Sequence, residues 1–324
     1  MLPDFTYVRP ASIKQAIREL ASPDARLHAG GTDLLGCLRD GVFSAKKLVA
    51  IGGLSELRGI AQETGGALRI GALATLAEIA AHPLINERYT ALAQGAASAA
   101  SPQLRNQGTL GGNLCQRPRC WYFRGDFRCI RKGGDICYAP GGENEFHCIL
   151  GGSGCYIVHP SDTAPALVAF DARARIAGPK GMRTVPLESF FVAPSKDFTR
   201  ETDLAAGEIL TEALLPPPAP NLRSRYRKVR VRASWDFALA GAAVALRIAH
   251  GKVESARIAL AGAAPVPWRA LEAEKALIGR PLDAATISQA AAAAVKDAEP
   301  LSQNDYKVDL VRGILEEELR AFAA

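Results

Sequence analysis

The sequence predicts an α+β fold in three pieces: two N-terminal subdomains of about residues 1–55 and 56–216, and a smaller C-terminal domain of about 217–324. Three observations carry this. Short strand patterns alternate with short helical patterns along the first half. Pro216, Pro217, Pro218 and Pro220 punctuate the chain where one unit should end and the next begin. Upstream of them lies a 41-residue stretch, about 115–155, with little periodicity. It reads as an ordered loop inserted into the second subdomain, because a loop of that length needs an anchor or a function.

Residues 12–23 read as a helix capped by Ser12, with Ile13, Ile17 and Leu20 on one face. Residues 25–31 read as a strand running into a glycine turn, and 47–51 and 68–73 as further strands. Thr75 and Glu78 form a capping box that opens a helix over 76–85. A second helix, about 89–100, leads into another glycine-rich turn at 105–113. Periodicity resumes over 155–178 with a strand, a capped helix and a strand. Beyond the prolines, strands are expected at 225–233 and 253–261, and helices at about 267–278 and 283–297. A final helix over 305–324 takes its apolar face from Val308, Leu310, Val311, Ile314, Leu315 and Leu319.

Composition narrows the class. The chain is 48% hydrophobic, enough for a sizeable core, with a formal net charge of +6. The basic run 223–232 alternates Lys or Arg with Val and Tyr, which suits a strand with one solvated face, and no nucleic-acid recognition motif accompanies it. No run of about 18 uninterrupted apolar residues exists to span a membrane. The first residues lack the basic-then-apolar order of a signal peptide. The expected location is cytoplasmic, or periplasmic if the chain is exported folded with a signal-bearing partner.

Two glycine turns point to a ligand. In the first, Gly30 and Gly31 let backbone approach a ligand and form an anion nest, while Thr32 and Asp33 add a hydroxyl and a cap. It is not the G-x-G-x-x-G fingerprint, so a nicotinamide site is not supported. The second turn concentrates Asn106, Gly108, Thr109, Gly111, Gly112 and Asn113. A single Gly-Gly turn serves structure alone as readily as a ligand. Two nests together fit a large diphosphate ligand such as FAD. A third element, 159–167, places Asp162 as N-cap before Thr163, Ala164 and Pro165, with Ser161 or Asp162 also able to hydrogen-bond the flavin part of such a ligand.

Six of the seven cysteines, Cys115, Cys120, Cys129, Cys137, Cys148 and Cys155, fall in the insertion. An odd, crowded set argues against a disulfide framework. The absence of any C-x-x-C pair argues against zinc ribbons and thioredoxin-like chemistry. Four thiolates on a looped segment suit a 4Fe-4S cluster, and Arg117, Arg119, Arg124, Arg128, Arg131 and Lys132 would offset its negative charge. Free buried cysteines are the plain alternative. Glycine nests interleaved with thiolates indicate a redox protein with two cofactors.

The strings AGGTDLL, RNQGTLGGN and HPSDTAPAL, in this order, together with residues 226–244, resemble the FAD-binding medium subunit of the xanthine dehydrogenase (molybdenum hydroxylase) family over essentially the whole chain. The resemblance implies a two-subdomain, PCMH-type FAD-binding domain with an iron–sulfur loop insertion, followed by a C-terminal α+β domain of antiparallel strands and helices. It implies FAD contacts at Leu27, His28, Ala29, Gly30, Gly31, Thr32, Asp33, Leu34, Thr109, Gly112, Asn113, Asp162 and Lys228, the last near the isoalloxazine carbonyl. A charge solvated on a strand is the alternative for Lys228. Residues 117–129, Cys137, 142–147 and 155–162 resemble the subgroup with an extra 4Fe-4S cluster. This implies Cys120, Cys129, Cys137 and Cys155 as ligands and Cys115 and Cys148 as bystanders, with Cys148 the competitor for the fourth place.

The implied function is electron transfer in an oxidoreductase complex of aldehyde oxidoreductase, xanthine dehydrogenase-like or hydroxybenzoyl-CoA reductase type. The partners would be a molybdenum cofactor-binding large subunit, a small subunit with two 2Fe-2S clusters, and ferredoxin or another external carrier. The extra cluster would extend the relay or act structurally. No catalytic side chain is required of this chain. Two readings from other classes stand beside this one: a stand-alone FAD oxidoreductase with its own substrate pocket, and a non-enzymatic metal-binding module whose glycine turns are only turns.

Overall fold

Three sheets organise the computed structural model, which describes residues 1–323. The first is parallel, with strands Thr6–Val8, Lys47–Ala50 and Ala25–His28 in that spatial order. Ser12 caps the helix Ile13–Glu19 by accepting from Gln15 N at 3.2 Å. Ile13, Ile17 and Leu20 pack with Leu27, Val49 and Ile51 as their spacing requires.

The second sheet is antiparallel, ordered Ile60–Gln62, Leu68–Gly71, Ile209–Leu215, Arg173–Gly178, Gly181–Pro186. Its strands flank the insertion in sequence, so residues 72–172 form an excursion that leaves the sheet and returns. The capping box forms: Glu78 N donates to Thr75 Oγ1 at 3.1 Å and Thr75 N donates to Glu78 Oε2 at 2.6 Å. The helix it opens stops at Ala81, and Pro83–Arg88 is a separate helix. Pro83 lacks an N–H and drives His82 into extended backbone, which divides the single helix expected over 76–85. The helix Thr90–Ser98 follows close to expectation. The strand expected at the start of 155–178 does not form. That segment has no regular structure, and its backbone pairs with loops, Cys148 N donating to Tyr156 O at 2.9 Å and His159 N to Ala264 O at 3.0 Å.

The third sheet, also antiparallel, is ordered Trp268–Arg269, Lys252–Ala261, Ala240–Ala249, Leu222–Val229. The basic run forms its edge strand, with Ser224 and Tyr226 inward and Arg223, Arg225 and Arg227 exposed. The strand Ala240–Ala249 was not expected, because an alanine-rich run carries helical propensity. It is made a strand by a two-residue hairpin loop, His250 and Gly251, both at positive φ (52° and 73°), which pairs it with Lys252–Ala261. Helices Leu271–Leu277, Ala284–Ala293 and Tyr306–Ala323 bury Leu277, Ile287, Val311, Ile314, Leu315 and Leu319 in one core with Val244, Leu246, Ile258 and Leu260 of the sheet. Ala324, the end of the expected final helix, lies outside the described residues. No strand or helix interrupts the proline-rich segment between Leu215 and Leu222.

Candidate functional site

The two glycine turns lie against each other. A side chain at Gly30 would overlap the backbone carbonyl of Gln107, and Gln107 Nε2 donates to Gly30 O at 3.4 Å. Gly31 has φ 73°, a left-handed conformation that few side chains tolerate. The second turn differs from expectation. It is the junction of two short helices, Pro102–Gln107 and Leu110–Leu114, and Thr109 caps the second by accepting from Gly112 N at 3.2 Å. Gly111 N donates to Ala72 O at 2.8 Å, and Gly111 lies too close to Ala72 for a larger residue to enter without displacing it.

These turns open into a continuous cleft of three chambers. Leu27, Ala29, Leu34, Ile51, Leu73 and Gly111 line the first, together with Gly30, Gly31 and Arg117. Thr32, Asp33, Thr109 and Gly112 are shared with the second, which adds Gly108, Asn113 and Trp235. Arg119, Pro160, Asp162, Asp236 and Phe237 are shared with the third, which adds Ser161, Trp121, Phe146, His147 and His159. Apolar at one end, glycine-rich and polar in the middle, aromatic at the other, the cleft suits a long ligand with a diphosphate between two ring systems.

Fourteen of the seventeen expected FAD contacts thus share this cleft. The others stand apart. His28 packs edge-on against Tyr7, and Asn106 is exposed. Lys228 is buried behind the wall, where Nζ donates to Asp162 Oδ2 at 2.8 Å. The solvated alternative for Lys228 therefore does not hold: its side chain is 2% exposed and that of Asp162 is 6% exposed. Sequence reasoning missed the segment 231–239, which brings Trp235, Asp236 and Phe237 to the cleft, with the Arg119 guanidinium 4.9 Å from the Phe237 ring centre. The strand expected over 225–233 ends at Val229, and the two large aromatics flanking Asp236 beyond it were the available signal.

Both expected aspartate caps are replaced by longer-range bonds. Asp162 makes no side-chain cap to the helix Thr163–Ala169. Ser161 Oγ accepts from Ala164 N at 3.0 Å in its place. Asp162 instead accepts from Tyr226 Oη and Lys228 Nζ, both at 2.8 Å, and burial with this carboxylate raises the Tyr226 phenol well above its usual range. Asn113 Oδ1 accepts from Ser161 Oγ at 2.5 Å and Thr163 Oγ1 at 2.7 Å, tying the second turn to the third element. Likewise Asp33 makes no cap. Its carboxylate pairs with Arg119 at 3.0 Å and Arg124 at 2.7 Å and accepts from Arg117 N at 2.8 Å, fastening the first turn to the insertion.

All seven cysteines are free thiols. Cys120, Cys129, Cys137 and Cys155 line one small pocket with Tyr122, Phe123, Arg131, His147 and Ile157. Cys120 and His147 also line the third chamber of the cleft. Cys148 is buried beside Gly152, and Cys115 lines the first chamber. Among the described residues, no group of three or more His, Cys, Asp or Glu side chains converges as a site for a metal ion. The charges beside the pocket are also more selective than the sequence suggested. Arg117, Arg119 and Arg124 are drawn to Asp33 and Glu201, Arg128 is exposed, and Lys132 donates to Gly125 O at 2.6 Å. Arg131 alone of the six expected cations bonds one of the four pocket thiols, Nη1 donating to Cys155 Sγ at 3.8 Å. The C-terminal domain holds the insertion's far side. Asn304 Nδ2 donates to His147 O at 3.0 Å, and Lys307 Nζ donates to Phe146 O at 3.0 Å.

A cleft with glycine turns between an apolar and an aromatic chamber, on an α+β frame, suits a protein that holds a dinucleotide. Residues 3–218 match the family described as the FAD binding domain in molybdopterin dehydrogenase, and residues 224–321 match the CO dehydrogenase flavoprotein C-terminal domain. The chain is 36% identical to the aldehyde oxidoreductase FAD-binding subunit PaoB of Escherichia coli (strain K12), over 96% of each chain. It is 30% identical to the carbon monoxide dehydrogenase medium chain of Hydrogenophaga pseudoflava, over 98% of this chain and 97% of that one. The structure of quinoline 2-oxidoreductase from Pseudomonas putida 86 superposes with a TM-score of 0.78 at 28% identity, covering 100% of this chain and 98% of that one. The chain therefore belongs to the FAD-binding medium subunits of the xanthine dehydrogenase and CO dehydrogenase family, the flavoprotein components of oxidoreductases. Among the described residues, no helix is long and apolar enough to cross a membrane.

Proposed function

We propose that this chain is the FAD- and 4Fe-4S-containing electron-transfer subunit of a heterotrimeric molybdenum hydroxylase. The observation that carries the second cofactor is the shared pocket of Cys120, Cys129, Cys137 and Cys155, which adjoins the third chamber of the FAD cleft through Cys120 and His147. The donor set fits a cluster. Four thiols and no carboxylate face the pocket, its other walls are largely aromatic and apolar, and a guanidinium donates to one sulfur. A four-iron cube keeps its thiolates further apart than the ligands of a single ion, which is consistent with the lack of a one-ion site.

On this reading, residues 1–55 and 56–216 hold FAD between them, and 217–324 form the C-terminal domain. The glycine turns receive the diphosphate, and the Asp162–Lys228 pair with Ser161 and Asn113 fixes the wall at the flavin end. Lys228 acts through Asp162. FAD and the cluster would supply the redox chemistry, and the protein supplies orientation, exclusion of water and local charge. A large subunit with the molybdenum cofactor would bind the substrate, and a small subunit with two 2Fe-2S clusters would exchange electrons with the FAD. Ferredoxin or another carrier would be the external partner. Relatives named as medium chains and FAD-binding subunits support this assembly. The cytoplasm is the proposed compartment, or the periplasm after folded export with a partner.

Anaerobic purification of the full chain tests both cofactors. Flavin absorbance overlaid by broad iron–sulfur absorbance, with roughly four irons per chain, is expected. A flavin-containing, iron-free protein would refute the cluster, and a colourless one would refute both. Substrate turnover by the isolated chain would favour a stand-alone oxidoreductase instead.

A further inference from the structure

We infer that Arg131 is a positioning residue that raises the reduction potential of the cysteine-bound cluster, with Glu201 as its electrostatic counterweight. The inference rests on the cluster reading above. Arg131 lies in the short turn Ile130–Lys132, immediately after Cys129, and its side chain is 2% exposed. Two of its guanidinium nitrogens are engaged. Nη1 donates to Cys155 Sγ at 3.8 Å, and Nη2 pairs with Glu201. Its Nε is buried with no acceptor, although Arg131 lines the cysteine pocket. A buried N–H without an acceptor is costly, and a cluster sulfur would satisfy it.

Reduction adds negative charge to a cluster whose thiolate ligands already carry it. A buried cation that also hydrogen-bonds a ligand sulfur stabilises the reduced state and moves the potential upward. Glu201, buried nearby, opposes this through its own charge. It is shared with Arg117 at 2.8 Å, so its charge is divided between the cysteine pocket and the first chamber of the cleft. The two residues should therefore shift the potential in opposite directions. A purely structural role for the pair would not do this.

The test is an EPR-monitored redox titration of the anaerobically purified full chain, with iron content measured on each sample. Arg131→Gln should move the cluster potential lower, Arg131→Lys should keep it near the wild-type value, and Glu201→Gln should move it higher. Unchanged potentials in both neutralised variants, or shifts of the same sign, would overturn the role of Arg131. If Arg131→Gln fails to load iron, Glu201→Gln decides alone, and an unchanged or lowered potential overturns the inference. A wild-type chain without iron is a different result, which removes the cluster reading itself.

Discussion

The glycine cleft and the cysteine pocket adjoin, yet they are built on opposite principles. The middle of the cleft is framed by the two glycine turns, with Gly30 set against Gln107 and Gly111 against Ala72. The pocket is lined by side chains from a segment whose regular structure is limited to two short turns, Trp121–Arg124 and Ile130–Lys132. The first is shaped by the fold itself. The second depends on long-range anchors, namely Asp33 on one side and Asn304 and Lys307 on the other. A lesion in the cleft should therefore remove FAD and spare iron, whereas a lesion in an anchor should disturb both.

The largest effect is expected from Lys228→Met. It leaves Asp162 as a buried carboxylate without its cation, a loss of about 3–5 kcal/mol in denaturant unfolding. Flavin content should fall while iron content holds. Iron falling in step with flavin would mean that the two regions form a single unit. Gly30→Ala comes next, forcing a methyl against the Gln107 carbonyl at a cost of about 3 kcal/mol with loss of FAD. Gly36→Ala is its control, since nothing crowds that position.

Acid provides a third perturbation of the cleft. Burial lowers the His159 imidazole from its ordinary 6.5 to about 4. The unfolded chain therefore takes up this proton first as pH falls. His159 contributes stability that is complete above about pH 6.5 and is lost progressively toward pH 4, about 3 kcal/mol in all. Urea midpoints measured against pH should fall across this window, and His159→Phe should flatten the fall. The smallest expected effect is Asp33→Asn, about 1–2 kcal/mol from weakening its bonds to Arg119 and Arg124. Despite its size, it should lower flavin and iron together.

Legibility in the sequence followed the range of the interactions. The Ser12 cap, the Thr75–Glu78 box and the alternation of the edge strand depend on neighbours a few residues away, and all form as their patterns require. Asp162 and Asp33 occupy the N-cap positions their spacing indicates, but their carboxylates turn to distant partners, Asp162 bonding Lys228 and Asp33 bonding Arg124. Local spacing favours a cap, and the buried cations win. The strand Ala240–Ala249 was hidden by its alanine content and by a hairpin loop in which histidine adopts positive φ. The helical form of the second glycine turn was hidden because Gly111 and Gly112 oppose helix, yet the Thr109 cap and the contact with Ala72 hold one turn in place. The resemblance located the two glycine turns and Asp162 on the cleft wall, but the segment 231–239 enters only through the path of the chain between two strands.

Iron measured per flavin in anaerobically purified Cys155→Ser and Cys148→Ser chains tests the central claim most directly. Cys155 faces the common pocket, and Cys148 is buried beside it. Cys155→Ser should lose most of its iron while keeping flavin, and Cys148→Ser should keep both. Iron lost on changing Cys148 but not Cys155 would contradict the assignment.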